Sequence, residues 1–272
     1  MAKHSSPRKL ALELAQLAAD IRVRHGDISA QAVPYALLVR RWDSSVDVAP
    51  MLDGFDDHDA LSRIEASLDS ADTDAVRACY ASQGRDPTVY FYEEFIRACD
   101  PQTARKRGVL YTPPEVVTFI LRGIQHLLQD RFGLALGDAC MIDPCCGVGT
   151  FLRQIEDRPT PPGSLIGLEL MPAACRIAQC LVPNSCVRQA DWLTNLELDT
   201  GEALPVIVGN PPYSGHSSNA GKIADLMADY REGLHERNPK WLQDDYVKFI
   251  RMAQHRIDSA GRGIVAFITN HT

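Results

Sequence analysis

From residue 105 to residue 272, short apolar segments alternate with helical segments, and this alternation constrains the fold more than any other feature. Strands are predicted at Ala139–Asp143, Ser164–Leu168, Cys186–Ala190, Leu204–Val208 and Gly263–Thr269. Helices are predicted at Val116–Leu128, Thr150–Ile155, Pro172–Leu181 and Asp245–Arg256. Because parallel strands joined by helices require right-handed crossovers, the pattern predicts an α/β domain with a doubly wound parallel sheet.

The chain before residue 105 has a helical pattern. Apolar residues between positions 10 and 21 fall on one face of a helix that Gly26 can terminate, and a second helix is predicted over Tyr35–Trp42. The acidic segment from Asp43 to Asp74 is interpreted as a solvated face or loop, and the aromatic residues 90–95 as the core of a helix. The change of pattern predicts a helical N-terminal region, residues 1–104, and an α/β core, residues 105–272.

The composition, with 45% hydrophobic and 23% charged residues, is typical of a folded chain. The net charge of −7 argues against a protein that coats nucleic acid, but not against an enzyme that grips DNA through a small patch. The eight cysteines form no CxxC pair and the eight histidines show no ligand spacing, so reduced thiols and no metal site are expected. No apolar run reaches the roughly 18–20 residues of a membrane span, so a soluble cytoplasmic protein is expected.

The first predicted strand of the core ends at Asp143 and leads into a glycine turn that contains Gly147 and Gly149. Such glycines let the backbone approach a ligand closely, and the helix that follows presents free N–H groups to an anionic end. The full dinucleotide motif is absent because Leu152 occupies the position of its third glycine. Taken alone, the turn fits a ligand site or a simple strand–helix connection equally well.

The second and third predicted strands also end in carboxylates. Glu169 follows the glycine turn by about 20 residues, the spacing at which an acidic residue binds ribose hydroxyls. Asp191 offers a carboxylate for an adenine amino group, and Trp192 offers an indole to pack on the adenine ring. Each acid alone could be a strand-end cap, but three in succession fit an adenosyl ligand with an amino-acid tail. The strand ends therefore favour S-adenosylmethionine over a dinucleotide.

The fourth predicted strand ends in the sequence Asn210-Pro211-Pro212-Tyr213. The two prolines fix a rigid turn, so the Asn210 side-chain oxygen and the Pro211 carbonyl can both face one planar amino group. Accepting both protons of that group localises the nitrogen lone pair for attack on a methyl sulfonium, without a strong base. Tyr213 can stack on the flat acceptor and orient it. The turn therefore predicts methyl transfer to a planar amino nitrogen.

These motifs resemble those of amino-methyltransferases of the γ motif order, in particular the N6-adenine DNA methylases of restriction–modification systems. The resemblance covers about residues 86–272 and is greatest to the methylase part of Type ISP single-polypeptide restriction enzymes. The matching motifs, in order, are Tyr111-Thr112-Pro113, DPCCGVGTFL, LIGLEL, QADWL and VGNPPY. Cys145, Cys146 and Val148 depart from the small or hydroxyl residues that are usual in the glycine turn.

The resemblance implies a Rossmann-like, S-adenosylmethionine-dependent methyltransferase core that methylates the N6 amino group of an adenine flipped out of double-stranded DNA. It implies catalytic roles for Asn210, Pro211, Pro212 and Tyr213. The residues that it implies for cofactor binding are Tyr111, Thr112, Asp143, Cys145, Gly147, Gly149, Glu169, Leu170, Asp191, Trp192 and Asn210.

Two alternatives stay open. Protein-glutamine N5-methyltransferases use the same turn on a planar amide nitrogen, although the segments around TPPEVV and NPPYSGHSS favour DNA. In the family, the sheet continues with two further strands and a target-recognition domain, so the core is expected to be truncated after its fifth strand. A separate recognition domain or subunit is then expected. The chain alone is expected to bind S-adenosylmethionine weakly and to methylate DNA poorly, or to be an inactive cofactor-binding fragment.

Overall fold

A computed structural model describes residues 6–106, 112–194, 198–213, 221, 223–233 and 240–269. The chain forms two compact units. The first, called here the helical unit, comprises Met1–Pro114, Gly147–Thr150 and Met171–Pro183. The second, called here the sheet unit, comprises Glu115–Cys146, Phe151–Leu170 and Asn184–Thr272.

The helices follow one another along both units. The first six are α1 (Pro7–Trp42), α2 (Ala49–Leu52), α3 (His58–Ser70), α4 (Thr73–Ala81), α5 (Pro87–Cys99) and α6 (Pro101–Lys106). The next five are α7 (Pro114–Leu127), α8 (Thr150–Glu156), α9 (Pro172–Leu181), α10 (Ala224–Arg231) and α11 (Asp245–Ala260). A π-helical turn over Leu128–Phe132 follows α7, and short 3-10 segments lie at Leu136–Asp138 and Lys240–Gln243. No helix within these described ranges is long and apolar enough to cross a membrane.

Helix α1 shows where local sequence signals succeed and where packing overrides them. Gly26, with φ 82° and ψ 177°, breaks the helix at the predicted position, because glycine adopts this backbone without steric cost. The predicted start of the second helix after Pro34 is wrong, since helix continues through that proline. Proline inside a helix costs about 3 kcal/mol. Every residue from Ala30 to Val39 is buried, and this burial offsets the cost.

The aromatic residues 90–95 lie in α5 and pack into the core of the helical unit, as predicted. The ring of Tyr35 meets Tyr92 edge to face at 5.2 Å between centroids, and Trp42 meets Phe91 at 5.4 Å. The polar ends are also satisfied, because the Tyr35 hydroxyl donates to the Thr88 carbonyl at 2.9 Å. These aromatic contacts join α1 to α5.

The acidic segment, predicted to be a solvated face or loop, forms helices α2 and α3 and the start of α4, and none of its acidic residues is buried. Its acids have two structural uses. Asp57 and Asp72 cap α3 and α4, accepting from backbone N–H groups at 2.9 and 3.0 Å. Glu65 and Asp69 pair with arginines of α1 at 2.6 and 2.8 Å. Exposed pairs of this kind contribute about 0–1 kcal/mol each, so the segment adds charge mainly to the surface.

Five parallel strands form the sheet of the sheet unit, which confirms the predicted architecture. They are β1 (Ala139–Asp143), β2 (Ser164–Glu169), β3 (Cys186–Gln189), β4 (Leu204–Gly209) and β5 (Ile264–Phe267). Their spatial order is β3-β2-β1-β4-β5. Ile142 of the central strand β1 is in register with Ile166 of β2 and Ile207 of β4. The order reverses at β1, which is the topological switch point at which doubly wound sheets bind ligands.

The central strands are apolar because both of their faces are covered. All residues of β1 and β4 are buried, as expected for strands inside a parallel sheet. Phe249, Met252 and Ala253 of α11 pack in the same core as these strands.

Helix α10 was not predicted from the sequence, because Met227 is its single buried residue and the helix therefore shows no apolar stripe.

Candidate active site

The carboxyl ends of four neighbouring strands bring most of the predicted site residues of the sheet unit to one edge. Asp143 ends β1, Glu169 ends β2, and Asn210 directly follows β4. Asp191 lies two residues after the end of β3. The residue between them, Ala190, extends the pairing of β3 with β2, because its backbone N–H donates to the Glu169 carbonyl at 3.0 Å. Since all the strands are parallel, these side chains share one edge of the sheet.

Asp143 and Glu169 form a pair of buried carboxylates. They are only 2% and 7% exposed. Burial raises the pKa of Asp143 to about 7, and the negative charge of Glu169 adds to the rise. The Cys145 backbone N–H opposes it by donating to Asp143 Oδ1 at 3.0 Å. A buried acidic pair of this kind favours a ligand that brings positive charge or hydroxyl donors.

Gly209 allows β4 to end against Asp143. A Cβ at this position would lie 2.8 Å from Asp143 Oδ1, closer than real Cβ atoms come to a neighbouring heavy atom. Sequence reasoning missed this role. The available signal was a glycine between an apolar strand and Asn210, a place where close backbone approach is common.

In the predicted catalytic turn, residues 210–213, the side-chain oxygen of Asn210 already accepts a hydrogen bond. The Tyr213 hydroxyl donates to Asn210 Oδ1 at 2.5 Å. Burial raises the pKa of Tyr213 to about 12, so the hydroxyl keeps its proton at neutral pH and acts as a donor. Pro211 is buried, while Asn210, Pro212 and Tyr213 are partly exposed. The turn is therefore anchored at Pro211 and accessible on either side of it.

Cys145 links the carboxylate of β1 to this turn. Its thiol hydrogen-bonds the Asp143 carboxylate, and the backbone N–H of Asn210 is directed at its sulfur. Burial raises the pKa of the Cys145 thiol well above its usual value, and the charge of Asp143 acts in the same direction. The thiol is therefore neutral, and it serves as a hydrogen-bonding group rather than a nucleophile.

The Asp191-Trp192 pair differs in part from expectation. The Asp191 side chain is half-buried and accepts from the Leu193 N–H at 2.9 Å, which is the strand-end cap considered as the alternative. Trp192 is 1% exposed and donates from Nε1 to the Phe249 carbonyl. The indole packs in the core beside α11, and its contact with an adenine ring stays a prediction. Leu170 is 38% exposed and leaves an apolar surface beside Glu169.

The remaining predicted residues belong to the helical unit or are outside the described residues. Thr112 is 3% exposed, and its carbonyl accepts from the Tyr90 hydroxyl at 3.1 Å. Gly147 and Gly149 have φ values of 58° and 99°, which favour glycine in the turn. Tyr111 lies outside the described residues. The cofactor roles of these four residues stay predictions.

Sequence and structure comparisons find several proteins similar to this chain. The Type II methyltransferase M.VspI of Vibrio sp. (strain 343) is 28% identical over 131 residues, which cover 45% of this chain and 30% of that protein. The DrdV–DNA complex has a similar fold, with TM-score 0.56 and 21% identity, covering 96% of this chain and 34% of the other. The Type IIL restriction-modification enzyme MmeI in complex with DNA has TM-score 0.59 and 14% identity, covering 96% and 50%.

This chain thus spans between about a third and a half of these three proteins. A family model described as N-6 DNA Methylase matches residues 84–271, well over half of the 272 residues. The matched range includes the glycine turn, the strand-end acids and the predicted catalytic turn. The chain therefore belongs to the N-6 DNA methylase family.

Proposed function

We propose that this chain transfers a methyl group from S-adenosylmethionine to the N6 amino group of an adenine in double-stranded DNA, as part of a restriction–modification system. The observation that carries the proposal is the position of Asn210, directly after β4 and joined through Cys145 to the buried Asp143. The acceptor turn and the proposed cofactor carboxylate thereby form one connected site. Of the two proteins of similar fold, MmeI is a Type IIL restriction-modification enzyme, and both structures are complexes with DNA.

The proposed acceptor chemistry uses two oxygens of the turn. The Asn210 side-chain oxygen and the Pro211 carbonyl accept the two protons of the amino group, which localises the lone pair on the nitrogen. The Tyr213 hydroxyl engages the Asn210 oxygen, so it must move aside when an acceptor binds. Because the amino group of adenine is paired inside duplex DNA, the base must leave the stack to reach Asn210.

The strand-end residues fit S-adenosylmethionine, a ligand with an ammonium group, a sulfonium and ribose hydroxyls. Asp143 and Glu169 offer buried negative charge for its cationic and donor groups, and Leu170 offers an exposed apolar surface for its adenine. Gly209 keeps the space beside Asp143 free of a Cβ. When bound, this cofactor supplies an electrophilic methyl group. The chain holds the acceptor nitrogen and keeps other side chains out of the path between this nitrogen and the methyl group.

Protein glutamine is the alternative acceptor, since its amide nitrogen is also planar. The family match favours the DNA base. The membership of a restriction–modification system, the requirement for a separate recognition domain or subunit, and the location in the cytoplasm remain parts of the proposal.

A methyl-transfer assay tests the acceptor. Radiolabelled S-adenosylmethionine is incubated with mixed-sequence duplex DNA and with the protein in excess, and the nucleosides are separated after digestion. We expect label in N6-methyladenine and at least a 100-fold loss with Asn210→Ala, because an acceptor of the amino protons is removed. Asn184→Ala, an exposed asparagine of the sheet unit, is the matched control. Label in the glutamine of an added translation factor, or incorporation that Asn210→Ala leaves intact, contradicts the proposal.

A further inference from the structure

A second aromatic side chain lies beside the catalytic turn. The ring of Tyr246, in the first turn of α11, has its centroid 6.2 Å from that of Tyr213, and the two planes make an angle of 61°. Both rings are partly exposed. Since the Tyr213 hydroxyl reaches Asn210 Oδ1, the amide oxygen and the two rings form one continuous corner, called here the aromatic corner.

Tyr246 is held by a well-anchored turn. The Asp244 side chain caps α11 and accepts from the Tyr246 N–H, while Asp245 and Lys248 form an ion pair at 3.9 Å with side chains 6% and 3% exposed. Phe249, one turn further on, packs in the core of the sheet unit. A side chain on such an element keeps its position when a ligand arrives, which is the property expected of a group that shapes a binding site.

The angle between the rings fixes what the corner can accept. A flat heteroaromatic ring that stacks on one tyrosine meets the other at a steep angle, and both offset-stacked and edge-to-face contacts between aromatic rings are favourable. A glutamine side chain carries no ring and gains neither contact. The aromatic corner therefore favours a nucleobase beside Asn210 over an aliphatic amide.

We propose that Tyr246 contacts the acceptor base and, together with Tyr213, makes the site specific for a planar heteroaromatic amine. This inference rests on the proposed function and names a further residue that selects its substrate. It assigns Tyr246 to acceptor binding and gives it no part in cofactor binding, so the two affinities must respond differently to its replacement.

Calorimetric titration with two ligands separates these affinities without turnover or a known DNA target. One ligand is S-adenosylhomocysteine. The other is a bisubstrate analogue in which a short alkyl chain joins the N6 of an adenine to the adenosyl cofactor. The variants are Tyr246→Ala, Tyr246→Phe and the control Tyr230→Ala, which removes a partly exposed tyrosine whose hydroxyl bonds Gln254 of the same helix α11.

We expect the wild-type protein to bind the bisubstrate analogue more tightly than S-adenosylhomocysteine. Tyr246→Ala should weaken analogue binding about tenfold, as alanine replacement of an aromatic that contacts a base does, and leave S-adenosylhomocysteine affinity unchanged. Tyr246→Phe and Tyr230→Ala should behave as wild type. Unchanged analogue affinity in Tyr246→Ala, or an equal loss for both ligands, overturns the inference. A wild-type protein that gains nothing from the attached adenine overturns the proposed function as well.

Discussion

The Tyr213 hydroxyl donates a hydrogen bond to the side-chain oxygen of Asn210, the atom proposed to accept an amino proton of the substrate. The hydroxyl thus lies where the amino group of the acceptor is proposed to bind. This bond satisfies a partly buried amide, and it also competes with the substrate for the same lone pairs. The consequence can be measured.

Replacing Tyr213 with phenylalanine removes the competitor and keeps the ring. We expect Tyr213→Phe to lower the dissociation constant for the acceptor by about threefold, because a net hydrogen bond of about 0.5–1.5 kcal/mol no longer has to be broken. Tyr213→Ala should raise that constant about tenfold, since the stacking surface is lost. Equilibrium binding of the bisubstrate analogue measures both. A phenylalanine variant as weak as the alanine variant contradicts this role of the hydroxyl.

The affinity for S-adenosylmethionine should depend on the ionisation of Asp143, whose pKa lies at about 7. Below that pH the carboxyl is neutral and attracts a cationic ligand poorly. We therefore expect affinity to rise as the pH increases from 5.5 to 8.5, with a midpoint near 7. Asp143→Asn should bind weakly and without this midpoint, and Asp130→Asn, an exposed acid of the same unit, should match wild type. A flat profile for the wild-type protein contradicts the assignment.

The same group makes the stability of the ligand-free protein depend on pH. The folded-state pKa of Asp143 is raised above the ordinary value of 3.8, so folding favours the neutral form. Its stabilising contribution is complete below pH 3.8 and is lost as the pH rises through about 7. Asp143→Asn should therefore raise the melting temperature at pH 8 and flatten its decline between pH 5 and 8. Thermal unfolding without cofactor tests this, and a lower melting temperature at pH 8 contradicts it.

Gly209→Ala should damage the cofactor site through Asp143. The added methyl group would lie 2.8 Å from Asp143 Oδ1, and the strand end or the carboxylate must shift. Overpacking of this kind costs about 1–3 kcal/mol, and we expect S-adenosylmethionine affinity to fall at least tenfold. Gly137→Ala is the control, since a Cβ there meets nothing within 4 Å. Equal affinities for the two variants would show that the close approach at Gly209 has no functional effect.

The Cys145 thiol should influence the pH at which the change in S-adenosylmethionine affinity has its midpoint. This thiol and the Cys145 backbone N–H both hydrogen-bond Asp143 and lower the pKa of that carboxyl. Cys145→Ala removes only the thiol, so the midpoint of cofactor binding should move to higher pH. Cys145→Ser keeps a donor at this position and should leave the midpoint close to that of wild type. A midpoint that does not differ between the alanine and serine variants contradicts the role of the thiol.

Local sequence patterns predicted much of the α/β core, residues 105–272. The observed bounds of β1, Ala139–Asp143, and of α9, Pro172–Leu181, are those predicted. Both elements can be recognised from short sequence segments, because a continuous apolar run marks a buried strand and a proline marks a first helical turn. The strand-end acids were found in the same way, since a strand that is recognised also gives the residue at its end.

The same patterns failed where a distant neighbour decides the outcome. Pro34 lies inside a helix because its surroundings are buried, although the sequence predicted a new helix after it. The sequence also contains Tyr213 and Tyr246, but it gives no sign that the rings of these two residues, 33 positions apart, meet. Contacts of this kind depend on how elements pack, and single-residue preferences do not encode packing.

The sequence by itself determined the parallel α/β sheet, the family and the residue types at the strand ends, because these depend on short-range periodicity and on motifs in order. Only the tertiary structure decided how those residues are used. Burial beside Glu169 raises the pKa of Asp143 to about 7, the Tyr213 hydroxyl engages Asn210, and the Trp192 indole packs into the core. Each outcome depends on desolvation or a contact made by residues far apart in the chain, which only folding brings together.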